Sequence, residues 1–232
     1  MSDTVSLIIV LAPALIVAIV FHEVAHGLVA SWLGDPTARE QKRLSLNPLR
    51  HVDPVGTLLV PGMLALASGP IFGWAKPVPV VKRRLRNPRY GMMAVAAAGP
   101  GTNFVLAAVG AVVAGVAGLA EQFPVLAGIG PGAEPTLTGV ALFLFILINI
   151  YLGMFNLLPI PPFDGSHIVE GLLPRRYVHL YERLRPFGML LFMGLVLLTW
   201  FAPGLGVLEN TIGPPVDWAL RQYLSLAEAV SG

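Results

Sequence analysis

Near its N-terminus the chain reads Phe21-His22-Glu23-Val24-Ala25-His26. Residues four apart on a helix share one face, so His22 and His26 can ligate a single ion. Glu23 stands beside the first of them, placed to act on a water held by that ion. This is the HExxH arrangement of zinc hydrolases. The run lies inside an otherwise apolar stretch, where an ionisable side chain is costly and marks a functional site by default. A pair of buried histidines with Glu23 as their counter-ion is the plainer alternative. Catalytic zinc keeps three protein ligands and an open position, so one ligand must come from elsewhere. The acids left within or beside the apolar stretches are Asp53, Asp164 and Glu170.

The elements that must carry these groups are membrane helices. Of 232 residues, 55% are hydrophobic and 12% charged, with a mean hydropathy of +0.73. An ordinary soluble domain carries about 25% charged residues. That excludes a cytosolic domain, a disordered chain and a nucleic-acid binder. With no cysteine, a disulfide or a cysteine ligand or nucleophile is excluded too. Four stretches reach the roughly 20 residues needed to cross a bilayer core: Val5–Leu33, Met92–Ala120, Leu137–Leu158 and Phe187–Leu205. A fifth, Val55–Trp74, is broken by Gly56, Pro61, Gly62, Gly69, Pro70 and Gly73.

Basic residues orient these stretches, because short loops rich in Lys and Arg stay cytoplasmic. Arg39, Lys42, Arg43 and Arg50 precede the fifth stretch, and Lys76, Lys82, Arg83, Arg84, Arg86 and Arg89 follow it. A single crossing would put one cluster outside, so the stretch reads as a re-entrant or hairpin element; a weak charge rule would make five or six spans instead. With four crossings, 14 of the 15 Lys and Arg residues are cytoplasmic, Arg221 being the exception. Both termini are then outside. Residues 1–205 form the membrane domain, and 206–232 a short amphipathic or loosely ordered external segment. His22 follows Val5 by 17 residues, about 25 Å of helix, which puts the histidine pair near the cytoplasmic edge. Asp164 emerges at the same depth in Asn156–Gly165 after the third crossing, in a stretch whose prolines deny continuous helix. Topology thus nominates Asp164 as the missing ligand, against the plainer reading of an Asp-Gly turn.

Three motifs in order, His22–His26, Gly99-Pro100-Gly101-Thr102-Asn103 and Asn156–Gly165, resemble the signatures of the site-2 protease family of intramembrane zinc metalloproteases. Leu46–Thr57 and Phe72–Val80 look like its small bacterial and archaeal subfamily, which lacks PDZ-like and nucleotide-sensing domains. The likeness covers roughly residues 5–200. It implies an all-α polytopic fold with a three-helix catalytic core in a prokaryotic cell membrane. One Zn²⁺ per chain would be bound by His22, His26 and Asp164, with Glu23 as general base. Asn156 would position substrate or stabilise the oxyanion, and Asn103 would face the site. The implied partners are a transmembrane protein or peptide substrate and the bilayer; oligomeric state is left open.

Other features carry two readings each. His51 and Asp53 form an HxD pair that could support a zinc-bound imidazole, occlude the metal, or simply cap a turn before Pro54. Val78–Val81, after Pro77, could offer an extended edge to an unwound peptide or be a basic loop at the lipid surface. His167, three residues after Asp164, is not expected to be a ligand, and His179 sits in an Arg-rich loop. The competing function is a transporter or channel with His22, Glu23, His26 and Asp164 as a cation path, although neither repeat symmetry nor paired broken helices is evident. A catalytically silent scaffold is a third, which an intact Glu23 disfavours.

Overall fold

The computed structural model describes residues 3–66 and 73–232, and its regular elements are all helical, with no strand among those residues. Among the described residues, three helices are long and apolar enough to cross a membrane: Ile9–Trp32 within α1 (Asp3–Trp32), α4 (Pro88–Val116) and α6 (Leu137–Asn156). Between α1 and α4 lie α2 (Thr37–Glu40) and α3 (Val60–Leu66), and α5 (Phe123–Leu126) precedes α6. After α6 come α7 (Asp164–Leu172), α8 (Arg175–Glu182), α9 (Gly188–Phe201) and α10 (Val207–Ser231). The expected crossing Phe187–Leu205 is shorter than its apolar length suggests. Helix α9 has 14 residues, flanked by 3-10 turns at Arg185–Phe187 and Pro203–Leu205, where Pro186 and Pro203 interrupt the ladder.

The chain divides into two compact units. The first comprises Met1–Ala18, Pro100–Phe155 and Leu208–Gly232. Its helices approach closely where glycine permits, as membrane helices do in general. A Cβ at Gly153 would lie 2.8 Å from the Phe104 ring, and one at Gly115 would lie 2.4 Å from the Ala227 carbonyl. The C-terminal segment is therefore ordered. Helix α10 continues through Pro214 and Pro215 and buries Ile212, Val216, Ala219, Leu224 and Ala227, while Tyr223 donates to the Phe104 carbonyl at 3.0 Å.

The second unit comprises Ile19–Gly99 and Asn156–Val207. In it the ends of the ambiguous fifth stretch meet. Trp74 N–H donates to Gly56 O at 3.1 Å, Lys76 N–H to His51 O at 2.9 Å, and Thr57 Oγ1 to Trp74 O at 2.9 Å. The stretch thus leaves and returns at one place, as a hairpin element does, starting with a π-helical turn at Pro54–Leu59 and α3. Its Gly69 and Pro70 lie outside the described residues. The return limb, Gly73–Val81, has no regular secondary structure.

Candidate active site

Helix α1 presents His22 and His26 one turn apart, as the HExxH spacing requires. Their Nε2 atoms are 3.0 Å apart, and Asp164 Oδ2 lies 3.1 Å from the first and 3.2 Å from the second. Among the described residues these three form the one group of His and acid side chains whose ligand atoms converge closely enough to hold a metal. The group is nearly enclosed, with side-chain exposures of 9, 12 and 19%.

Each member is held from behind. The His26 Nδ1–H donates to Val95 O at 2.7 Å, which leaves its Nε2 lone pair for a ligand role. Helix α4 can press against both imidazoles because residue 99 is glycine: a Cβ there would stand 2.5 Å from His26 and 2.6 Å from His22. Asp164 is the first residue of α7, where a helix N-terminus favours negative charge. Gly165 behind it lies so close to the preceding backbone that a Cβ would meet Leu157 O at 2.2 Å. That close approach is why an Asp-Gly pair stands here. Burial alone would raise the Asp164 carboxyl, but the two imidazoles facing it outweigh burial and hold it down to about 2. The acid is thus ionised at neutral pH, as a metal ligand must be.

The donor set fits zinc. Three donors about 2.1 Å from one tetrahedral centre stand about 3.4 Å from one another, and the observed triangle is only slightly tighter. The buried Asp164 Oδ2 also has no hydrogen bond of good geometry, although both imidazole nitrogens are near. Three ligand atoms converging within 3.2 Å of one another in a nearly enclosed place are what a cation would satisfy.

The other expected residues are distributed as follows. Glu23 is half-buried, and its Oε2 accepts the Val78 N–H at 2.7 Å. Asn156 is the last residue of α6, in the same unit as the histidines. Asn103 belongs to the first unit, fully buried, where it donates to Ala18 O at 3.2 Å and to Asn149 Oδ1 at 3.0 Å. His51 is buried with Nε2 2.8 Å from Ser45 O, and Asp53 caps the π-helical turn by accepting from Val55 and Gly56 N–H.

Two neighbours of Asp164 on α7 were undervalued by sequence reasoning. Glu170, buried, accepts from Lys82 Nζ and Arg185 Nη2. His167 Nδ1 accepts from the same Arg185 nitrogen at 3.0 Å. Burial and then the Arg185 charge press the His167 pKa down to about 4, so its ring is neutral. Its spacing from Asp164, one helical turn, was the available clue.

Residues 124–199 match the model of peptidase family M50. A Bacillus subtilis (strain 168) protein named "Putative zinc metalloprotease YwhC" is 38% identical over 188 residues, covering 81% of this chain and 80% of that protein. No solved structure matches. A metalloprotease family leaves no room for the transporter reading of the His, Glu and Asp cluster. The apolar helices, the histidine pair with its distant acid and this extended likeness together make the chain a member of peptidase family M50, the site-2 protease family of membrane zinc metalloproteases.

Proposed function

We propose that the protein is an intramembrane zinc endopeptidase in which His22, His26 and Asp164 hold one zinc ion per chain and Glu23 is the general base. The observation that carries this reading is the convergence of three ligand atoms from two distant parts of the sequence within 3.2 Å. When bound, zinc supplies a Lewis acid for the scissile carbonyl and lowers the pKa of water toward about 7. Glu23 takes the proton of the attacking water and delivers it to the leaving amine. Asn156 shares the developing oxyanion charge or holds the substrate backbone.

The charge balance suits the setting. Two neutral imidazoles and one carboxylate around a divalent ion leave a single positive charge, which Glu23 offsets. A balanced cluster is tolerable at membrane depth, where an unpaired charge is not. The substrates are transmembrane or membrane-proximal protein segments. A spanning helix must unwind first, because its carbonyls are engaged in hydrogen bonds. The distribution of Lys and Arg supports a site near the cytoplasmic face with both termini outside.

The test is cleavage of a detergent-solubilised single-span peptide by purified protein. Wild type should cleave it, and Glu23→Gln and chelator-treated protein should not. Zinc retention by Glu23→Gln with an undiminished rate would remove Glu23 from the mechanism.

A further inference from the structure

Among the described residues, Asp35, Arg43 and Glu170 are buried charged side chains outside the metal group, at 0, 8 and 3% exposure. All three engage one short segment, Lys76–Lys82. Arg43 Nη2 donates to Lys76 O at 2.7 Å and to Pro77 O at 3.4 Å. Asp35 Oδ2 accepts the Val81 N–H at 2.5 Å, while its Oδ1 accepts the Thr37 N–H at 3.1 Å. Glu170 accepts from Lys82 Nζ. Burying a charge is costly, and apolar residues could fill the same volume without that cost. Three such groups meeting on an irregular segment mark its placement as something the fold has to secure.

What the segment places is an amide. Pro77 and Pro79 have no N–H, so Val78 carries the single donor between them, and it donates to Glu23 Oε2 at 2.7 Å. Val78 is itself seated against α1 one turn beyond Glu23, where a Cβ at Gly27 would lie 2.9 Å from Val78 Cγ1.

We propose that Asp35, Arg43 and Glu170 are positioning residues for catalysis. They fix the Lys76–Lys82 strap so that the Val78 amide holds one oxygen of the Glu23 carboxylate and leaves the other to meet the attacking water. The inference rests on the assignment of Glu23 as general base.

The test compares wild type, Arg43→Met, Arg43→Lys, Glu23→Gln and the Glu23→Gln/Arg43→Met double variant on a quenched-fluorescent single-span peptide in detergent, alongside zinc affinity by chelator competition. Arg43→Met should lower kcat at least 20-fold with KM and zinc affinity within twofold of wild type, and Arg43→Lys should recover part of the rate. The double variant should be no slower than Glu23→Gln, because Arg43 acts through Glu23. Amide exchange over Lys76–Lys82 should quicken in Arg43→Met, a readout that needs no substrate. An unchanged kcat and exchange rate, a parallel loss of zinc affinity, or multiplicative effects in the double variant would overturn the proposal. If Glu23→Gln cleaves normally, the base assignment fails and this inference with it. If Glu23→Gln is inactive while Arg43→Met is normal, the strap alone is refuted. Should Arg43→Met not fold, Asp35→Asn is judged by the same criteria.

Discussion

A methyl group on Gly99 would stand 2.5 Å from Cε1 and Nε2 of His26. His26 has little room to yield, because its other nitrogen is fixed to Val95 O on the same helix, α4. Helix α4 thus sets the imidazole from two directions, by a hydrogen bond and by bare backbone.

The Gly99→Ala variant should therefore lose zinc affinity tenfold or more, about 1.4 kcal/mol. Gly101→Ala is the control, since a Cβ there meets nothing within 4 Å. Chelator competition on the two variants checks this. Equal affinities would mean that the imidazoles move aside freely.

Asp164→Asn keeps the shape of the third ligand and removes its charge. Zinc affinity should fall by about 100-fold or more, about 2.7 kcal/mol. A metal that binds only the folded state stabilises it by about 2.7 kcal/mol at 100 times its Kd. A chelator should therefore lower the melting temperature of wild type and leave that of Asp164→Asn nearly unchanged. Thermal unfolding with and without chelator reads the difference.

The convergence of His22, His26 and Asp164 was legible because these residues break a local rule: ionisable side chains in an apolar helix and an Asp-Gly pair after prolines have few other reasons to exist. The supporting group was not. Arg43 and Lys82 count among the basic residues that orient a membrane protein, and nothing in their spacing separates a solvated arginine from a buried one. Only the fold brings positions 35, 43 and 170 to the strap at 76–82. Helix α10 was obscured for a different reason. Pro214 and Pro215 argue locally against a helix, whereas burial of Val216, Ala219 and Leu224 on its packed face outweighs that preference. For the fifth stretch, the flanking charges suggest a return to one face, and what the fold adds is that the bonds between His51–Thr57 and Trp74–Lys76 bring its two ends together.

Glu170 should be among the costlier single positions in the second unit. Its side chain is 4% exposed, and its partners Lys82 and Arg185 are each 33% exposed. Removing one partner of a fully buried pair costs 3–5 kcal/mol, and partial solvation of the two cations brings Glu170→Gln to about 2–3 kcal/mol. Denaturant or thermal unfolding measures it. Replacing the cluster together, as Lys82→Met with Glu170→Leu and Arg185→Met, should recover most of that loss, because no buried charge is then left unpaired and Glu182, which also meets Lys82, is 46% exposed. A triple variant no better than the single one would show that the cost lies in packing.

His167 gives the second unit a defined sensitivity to acid. Arg185 can only donate, so His167 Nδ1 is the acceptor and the ring proton sits on Nε2. Protonating Nδ1 would set two cations face to face in a partly buried site, which, after burial itself, is why the folded-state pKa lies near 4 instead of 6.5. The unfolded chain takes up this proton as pH drops below about 6.5, and the folded chain does so only near 4. Over that window the unfolded state binds more protons, so stability falls with falling pH, by at most about 3 kcal/mol at the lower end. His167→Gln should flatten this part of the stability profile and leave it unchanged above pH 7. The measurement is the midpoint of unfolding in chelator between pH 4 and 8 for both proteins, the difference between the curves isolating His167 from His22 and His26. Parallel curves would mean that the ring titrates alike in the folded and unfolded chain.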